Sequence, residues 1–359
     1  MKNFKFTQSL NTPFYLELKQ KVDAYFASRS NNRKANTHMY AKMTLLFLLF
    51  FTSYGLLLSN ALSQIQMIFA TVAFGLSNVL IAFNIAHDAS HGALFKKRSW
   101  NKVFSYCFNL IGVNQYIWDI KHNQSHHAFT NIEGLDIDIE QTKIARVTES
   151  SPQKWFHRYQ HIYLPFVYPL ASLFMIFIKD FQLFAAKKYG NKVILTHPRK
   201  ERVILFLSKF LYLTYTLIIP IIVINVVWWK IVVWFLIMHL IMGVFLAIIL
   251  FPAHVLEDSP FPKPDDNMEV HNSWAIHQVE TTTNFAANSR LITWLSGGLN
   301  THIAHHLYPH ICHIHYYNLT KIIREVAQKH EISFRDKTLL GAMKSHLAYF
   351  KRLGRNVSQ

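Results

Sequence analysis

A chain of 359 residues that is 51% hydrophobic and 15% aromatic, with only 16% charged residues, carries too little charge for an ordinary soluble globule of its size. Its formal charge of +17 points to anionic lipid headgroups or an acidic protein partner. No module that reads bases accompanies those charges, so nucleic acid is set aside as a partner.

The first 42 residues are polar and basic, and no apolar run that would read as a cleavable signal peptide precedes Met43. Four nearly uncharged runs follow at Met43–Leu58, Ile65–Ala86, Val203–Val227 and Ile231–Ala253. The last three exceed the roughly 20 residues that a helix needs to cross a bilayer, and the first is extended by Lys42 and polar flanks. The expected fold is therefore all-α and membrane-embedded, with four transmembrane helices under a cytosolic helical cap. The segments are an N-terminal cytosolic stretch (1–42), helices one and two (43–86), a first part of the cap (87–202), helices three and four (203–253) and a second part of the cap with the C-terminal tail (254–359).

Two further apolar stretches are interrupted: Val103–Trp118 by Asn109, Asn114 and Gln115, and Ile162–Ile178 by Pro165 and Pro169. Both are expected to lie in the interface or dip into it without crossing. All Lys and Arg except Lys209 and Lys230 fall in the three segments assigned to one side, while Ser59–Gln64 has none. By the positive-inside rule those segments are cytoplasmic. Cys107 and Cys312 then face a reducing compartment and no disulfide is expected. There is no internal repeat, and Pro260, Pro262, Pro264, Asp265 and Asp266 mark an exposed loop.

The chemistry lies in three clusters: His87-Asp-Ala-Ser-His91, His122-Asn-Gln-Ser-His126-His127 and His302-Ile-Ala-His305-His306. Spacings of three to five residues put the rings of each cluster on one helix face. Imidazoles this dense repel when protonated and lose solvation when buried, unless a metal ties them together. The clusters therefore read as one polynuclear metal site, which requires all three on one membrane face. A full crossing at either interrupted stretch would separate them. His277, in a polar segment after the last span, is taken as a ninth ligand, and nine are too many for one ion taking four to six. Two ions are implied. Ligand type alone allows iron, copper or zinc; two irons beside a membrane suggest oxygen activation against an inert hydrocarbon. Asp88, Asp136, Asp138 and Glu280 are placed to accept the second N–H of ligating imidazoles, and Asn272 and Gln278 are weaker candidates for direct or water-mediated contact.

These residues resemble the integral-membrane fatty acid desaturase family, most of all its bacterial linoleoyl-CoA desaturase-like, front-end (delta-6 type) branch. The resemblance is carried by the three clusters, by Thr130-Asn131 and Asp136-Ile-Asp138, by His277-Gln278-Val-Glu280-Thr and by Gly297-Gly298-Leu299-Asn300 leading to Leu307-Tyr308-Pro309. It implies a non-haem diiron enzyme that uses O2 and two electrons to remove two hydrogens from the acyl chain of an acyl-CoA or acyl-lipid. It also implies an acyl tunnel past the metals and a place in a bacterial inner membrane, with the active site on the cytoplasmic face. Two departures stand out: front-end members usually carry Gln where this chain has His302, and Glu where it has Ala304. The His-Pro-Gly-Gly motif of a fused cytochrome b5 domain is missing too, so a separate ferredoxin or cytochrome b5-type donor with its reductase is expected, drawn to bases such as Lys96, Lys97 and Arg98.

A membrane hydroxylase or ketolase of lipids, sphingoid bases or carotenoids is the alternative enzyme. A histidine-rich transporter would need ligands within the spans, where only His239 lies.

Overall fold

The computed structural model describes residues 4–139, 143–189, 192–193 and 196–355, so the extreme ends of the first and last sequence segments lie outside the described residues. Helix α1 (Pro13–Ala27) precedes the apolar part of the chain. Among the described residues five helical stretches are long and apolar enough to cross a membrane: α2 (Thr37–Leu58), α3 (Gln64–Ser90), and, after the short helical turn α4 (Asp119–His126), α5 (Trp155–Ala185), α6 (Arg199–Val223) and α7 (Trp228–Ala253).

Local chemistry sets their ends. The Asn36 side chain accepts from the Met39 N–H at 3.1 Å and starts α2 six residues before the apolar run, while Ser63 and Gln66 form a reciprocal cap on α3. Helix α3 is the central element and packs against both α2 and α7. Gly75 permits the second contact, because a Cβ there would lie 3.0 Å from the Met238 carbonyl oxygen.

Helix α5 is the stretch with the two prolines, and it is not straight. A 3₁₀ turn at Tyr168–Leu170 follows Pro165, and a π turn occupies Met175–Lys179. Proline removes a backbone donor and clashes with the preceding turn, which accounts for the first break. Leu164, near its start, packs with Tyr349, Phe350 and Leu353, while Leu183, near its end, packs with Ile117, Ile120 and Ile137.

A second layer of short helices covers one end of the apolar bundle. It contains α8 (Trp274–Thr281), α9 (His302–Leu307), α10 (Tyr316–Lys329) and α11 (Leu339–Arg355). Helix α1 docks here. Phe14, Leu18, Val22 and Phe26 recur every four residues, all buried, against Ile303, Leu319, Ile323 and Val326. Each such side chain stabilises the docking by about 1.5–3 kcal/mol at most. A parallel pairing of Lys5–Phe6 with Glu269–Val270 ties the chain's start to the same layer.

Candidate metal centre

All three histidine clusters meet where the layer covers the bundle. His87 lies in the last turn of α3, just after a π turn at Ala82–Ala86, with His91 capping its end, and His122 and His126 belong to the π turn of α4, with His127 next to it. The wider π spiral suits the i, i+4, i+5 spacing better than an α-helix would, and such turns recur at functional sites. Helix α9 supplies His302, His305 and His306.

The ring nitrogens gather in two groups. His87, His91, His122 and His305 form one, and His126, His254, His302 and His306 the other, each with its ligand atoms within 4.8 Å of one another; His127 converges with His305 and His306 between them. His87 and His122 bring their Nε2 atoms within 3.2 Å, His122 and His127 within 3.1 Å, and His126 and His254 within 3.2 Å.

Those separations test whether a metal fits. Two imidazole nitrogens bound at about 2.1 Å and near a right angle on one ion stand about 3.0 Å apart. The second nitrogens give the same answer. His126 Nδ1 lies 2.9 Å from Asp136, His302 Nδ1 2.8 Å from the Leu299 carbonyl, His306 Nδ1 2.8 Å from Gln278 Oε1 and His254 Nδ1 3.4 Å from the Thr281 carbonyl. An Nδ1–H donating to each acceptor leaves the four Nε2 lone pairs facing inward, where lone pairs repel unless a cation binds them. Buried ring nitrogens without a protein partner among the described residues include His91 Nε2, His306 Nε2 and both nitrogens of His305. The donor set fits one transition-metal ion per group.

Protonation agrees. Burial and neighbouring imidazoles push His122, His127, His305 and His306 far below the ordinary histidine range, and burial takes His91 and His302 to about 3. They are neutral, as ligands must be. His126 alone is raised: burial works against its charge, but the Asp136 carboxylate more than offsets this.

His254 was not singled out by sequence reasoning. A signal was available, since it follows the last apolar run just as His87 follows the second. His277 was expected among the ligands, but its Nε2 lies 2.8 Å from the Thr130 carbonyl and it belongs to neither group. Of the other expected residues, Asp136 and Gln278 touch site histidines directly, while Asp138 pairs with Lys121 at 2.7 Å and stands 3.9 Å from His122. Asn272 and Glu280 bond to each other at 2.9 Å. Asp88 turns away to His313, 2.8 Å from its Nδ1, and Lys42 lies 3.1 Å from His313 Nε2. With both nitrogens engaged, His313 has no lone pair left for a third ion, although Asp88 and Cys312 lie beside it.

A cavity of about 550 Å³ adjoins the histidines. His87, His122, His126, His254 and His302 line it, and most other walls are apolar, among them Val79, Phe83, Ile176, Met242 and Leu246.

Histidine groups that could hold two ions, an apolar cavity beside them and helices long and apolar enough to cross a membrane are the features of a membrane protein able to bind metal beside an apolar ligand. The family model described as fatty acid desaturase matches residues 63–338, and the chain belongs to that family. It is similar to the "sn-1 linoleoyl-lipid 6-desaturase" of Arthrospira platensis, 31% identical over 98% of this chain and 95% of that protein, and to the protein of the same name from Synechocystis sp., 30% identical over 98% of each. The "Acyl-lipid (8-3)-desaturase" of Physcomitrium patens is 31% identical over 98% of this chain and 73% of its own length.

Proposed function

We propose that this protein is an O2-dependent acyl-lipid desaturase with a diiron centre on the cytoplasmic face of a membrane. The observation that carries the proposal is the meeting of the two buried histidine groups at the wall of the apolar cavity. His87, His91, His122, His126, His127, His254, His302, His305 and His306 hold the ions; His277 instead donates to the Thr130 carbonyl and anchors the loop after the second cluster. Two irons there would supply the O2 activation that side chains cannot. Each turnover takes two hydrogens from adjacent carbons and consumes O2, two electrons and two protons, releasing two waters.

The chain's own residues bind and orient. The apolar walls exclude water and lay a methylene chain beside His87, His126 and His254. An acyl-lipid is favoured over an acyl-CoA because the similar proteins are named for lipid-linked acyl chains.

Four crossings are proposed, not five. Three crossings between His126 and His254 would leave them on opposite faces, yet their nitrogens are 3.2 Å apart. Helix α5 is the one that dips and returns, because Leu164 in its first part packs with Tyr349, Phe350 and Leu353 of α11, and Leu183 near its end packs with Ile120 of α4, the turn that carries His122 and His126. The distribution of Lys and Arg supports a cytoplasmic side for that layer. Electrons come from a separate acidic protein that docks near Lys96, Lys97 and Arg98, all exposed and just beyond His91.

The test is expression in a host whose lipids lack the product, with metal analysis of the purified protein. New double bonds in membrane lipids and two irons per chain are expected. Hydroxylated or ketonic products, or an active preparation that holds zinc alone, would refute the proposal.

A further inference from the structure

Two polar clusters lie deep among the apolar helices, and the histidine chemistry uses neither. Ser172 of α5 has its Oγ 3.0 Å from His239 Nδ1 and donates to the His239 carbonyl at 2.8 Å, while the Tyr212 hydroxyl of α6 lies 2.9 Å from His239 Nε2. Asp180, also on α5, pairs with Lys209 of α6 and accepts from the Asn114 N–H at 2.8 Å; Lys209 donates as well to the Gly112 carbonyl. Ser172, Asp180, Lys209 and His239 are all buried. Polar and ionisable groups at this depth are costly, and a buried ion pair adds little stability over apolar packing. One use for them is to fix register.

Both clusters fasten the same element, α5, to its neighbours. A third fastening lies at Gly243 on α7, where a Cβ would come within 2.0 Å of the Pro169 carbonyl oxygen. Only glycine lets α5 approach that closely. The position so fixed matters because Ala171 to Ile178 line the cavity, together with Val79 and Met242. Along their helices Met242 and Val79 lie on the order of 18 Å and 12 Å below His254 and His87 respectively. Ile176 sits at a similar depth: it flanks Tyr212 at Gly112, and Tyr212 bonds His239, one turn below Met242.

We propose that α5 is a depth stop. Its segment Ser172–Phe177 closes the blind end of the cavity, and the Ser172–His239–Tyr212 and Asp180–Lys209 contacts hold it at one depth. That depth sets how much acyl chain fits beyond the histidines. Ile176 and Met242 determine chain length, and Ser172, His239, Asp180 and Lys209 are positioning residues. The inference rests on the reading of the cavity as the acyl site.

The experiment uses the full chain in vesicles, offered acyl lipids that are identical except for chain length, stepped two carbons at a time, with the same reductant throughout. Ile176→Phe should move the preference to shorter chains and Ile176→Ala to longer ones. The ratio of kcat/KM between neighbouring lengths should change by about tenfold, the low end of what one methylene is worth in an apolar pocket.

Lys209→Met alone leaves the Asp180 charge buried without this partner and risks misfolding, whereas Asp180→Leu with Lys209→Met replaces both charges by apolar groups. That double variant, and His239→Phe, should flatten the length preference, while His239→Gln, which keeps the hydrogen bonds, should restore it. Unchanged length ratios in both Ile176 variants overturn the stop, and unchanged ratios in the double variant and His239→Phe overturn the fastening. If the unaltered protein desaturates no member of the series, the acyl reading of the cavity has failed instead.

Discussion

The two histidine groups are equal in number and unequal in support. In the group of His126, His254, His302 and His306 every Nδ1 faces an acceptor: a carboxylate, an amide oxygen or a backbone carbonyl. In the group of His87, His91, His122 and His305, the Nδ1 atoms of His87 and His305 have no protein partner among the described residues. The first group is oriented by the protein alone; in the second, a bound ion would have to supply part of the order. The second is also nearer the surface, since His91 is the one residue of the eight that is not fully buried.

Removing a ligand should have the largest effect. His126→Ala and His87→Ala should each abolish desaturation and lower the iron content of the purified protein from two per chain towards one, with the bundle still folded. Two irons and full activity in either variant would break the division into groups. Next come the acceptors. Gln278→Ala and Asp136→Asn should weaken binding of one ion only, by about 10–100-fold. Titration of the metal-free protein with ferrous iron should then show one site unchanged and one weakened; two sites weakened alike would mean that the groups are not independent. A smaller effect belongs to the surface beside His91. Neutralising Lys96, Lys97 and Arg98 should slow donor-driven turnover by about 3–10-fold and remove most of its salt dependence, with the iron content unchanged. If turnover is insensitive to salt in the unaltered protein, electrons do not enter through this charged rim.

The contrast also explains what the sequence could and could not convey. Membrane-length helices are legible because a bilayer demands uninterrupted apolar runs, and clustered histidines because neighbours at three or four residues share a helix face. His254 stands alone at the end of α7, marked only by its place after the last apolar run and not by a second histidine nearby; its partners come from elements more than 100 residues earlier and about 50 later in the chain. His277 drew attention beside Gln278, but adjacent residues on a helix point about 100° apart, so only one of the two can face the site. Gln278 takes that direction, 2.8 Å from His306, and His277 reaches the Thr130 carbonyl. Asp88 is misleading for the same reason, being adjacent to His87 and turned towards His313. In α5, Pro165 and Pro169 signalled a break, yet the depth at which it settles is decided by Gly243, Lys209 and His239 on other helices.

The weakest signature of the unequal support lies in how the metal-free protein responds to acid. His91, His122, His127, His302, His305 and His306 have folded-state values far below the ordinary 6.5, through burial first and then through neighbouring imidazoles where these act. A depressed value contributes stability that is present above about 6.5 and is lost as pH falls below it, because the unfolded chain takes up protons that the fold refuses. His126 has the opposite sign, since Asp136 raises it; its contribution is present below about 6.5 and is lost as pH rises through its folded value. Unfolding midpoints of chelator-treated protein in detergent should therefore fall between pH 7 and pH 5, and fall more steeply in Asp136→Asn, which removes the single opposing contribution. The slope is the quantity to compare, because Asn keeps only one of the two oxygens that accept from the Asn131 and Asp138 N–H groups, and losing one of those hydrogen bonds lowers stability at every pH. A shallower slope in the variant would show that Asp136 does not hold His126 as the structure places it, and the contrast between the two groups would lose its strongest pair.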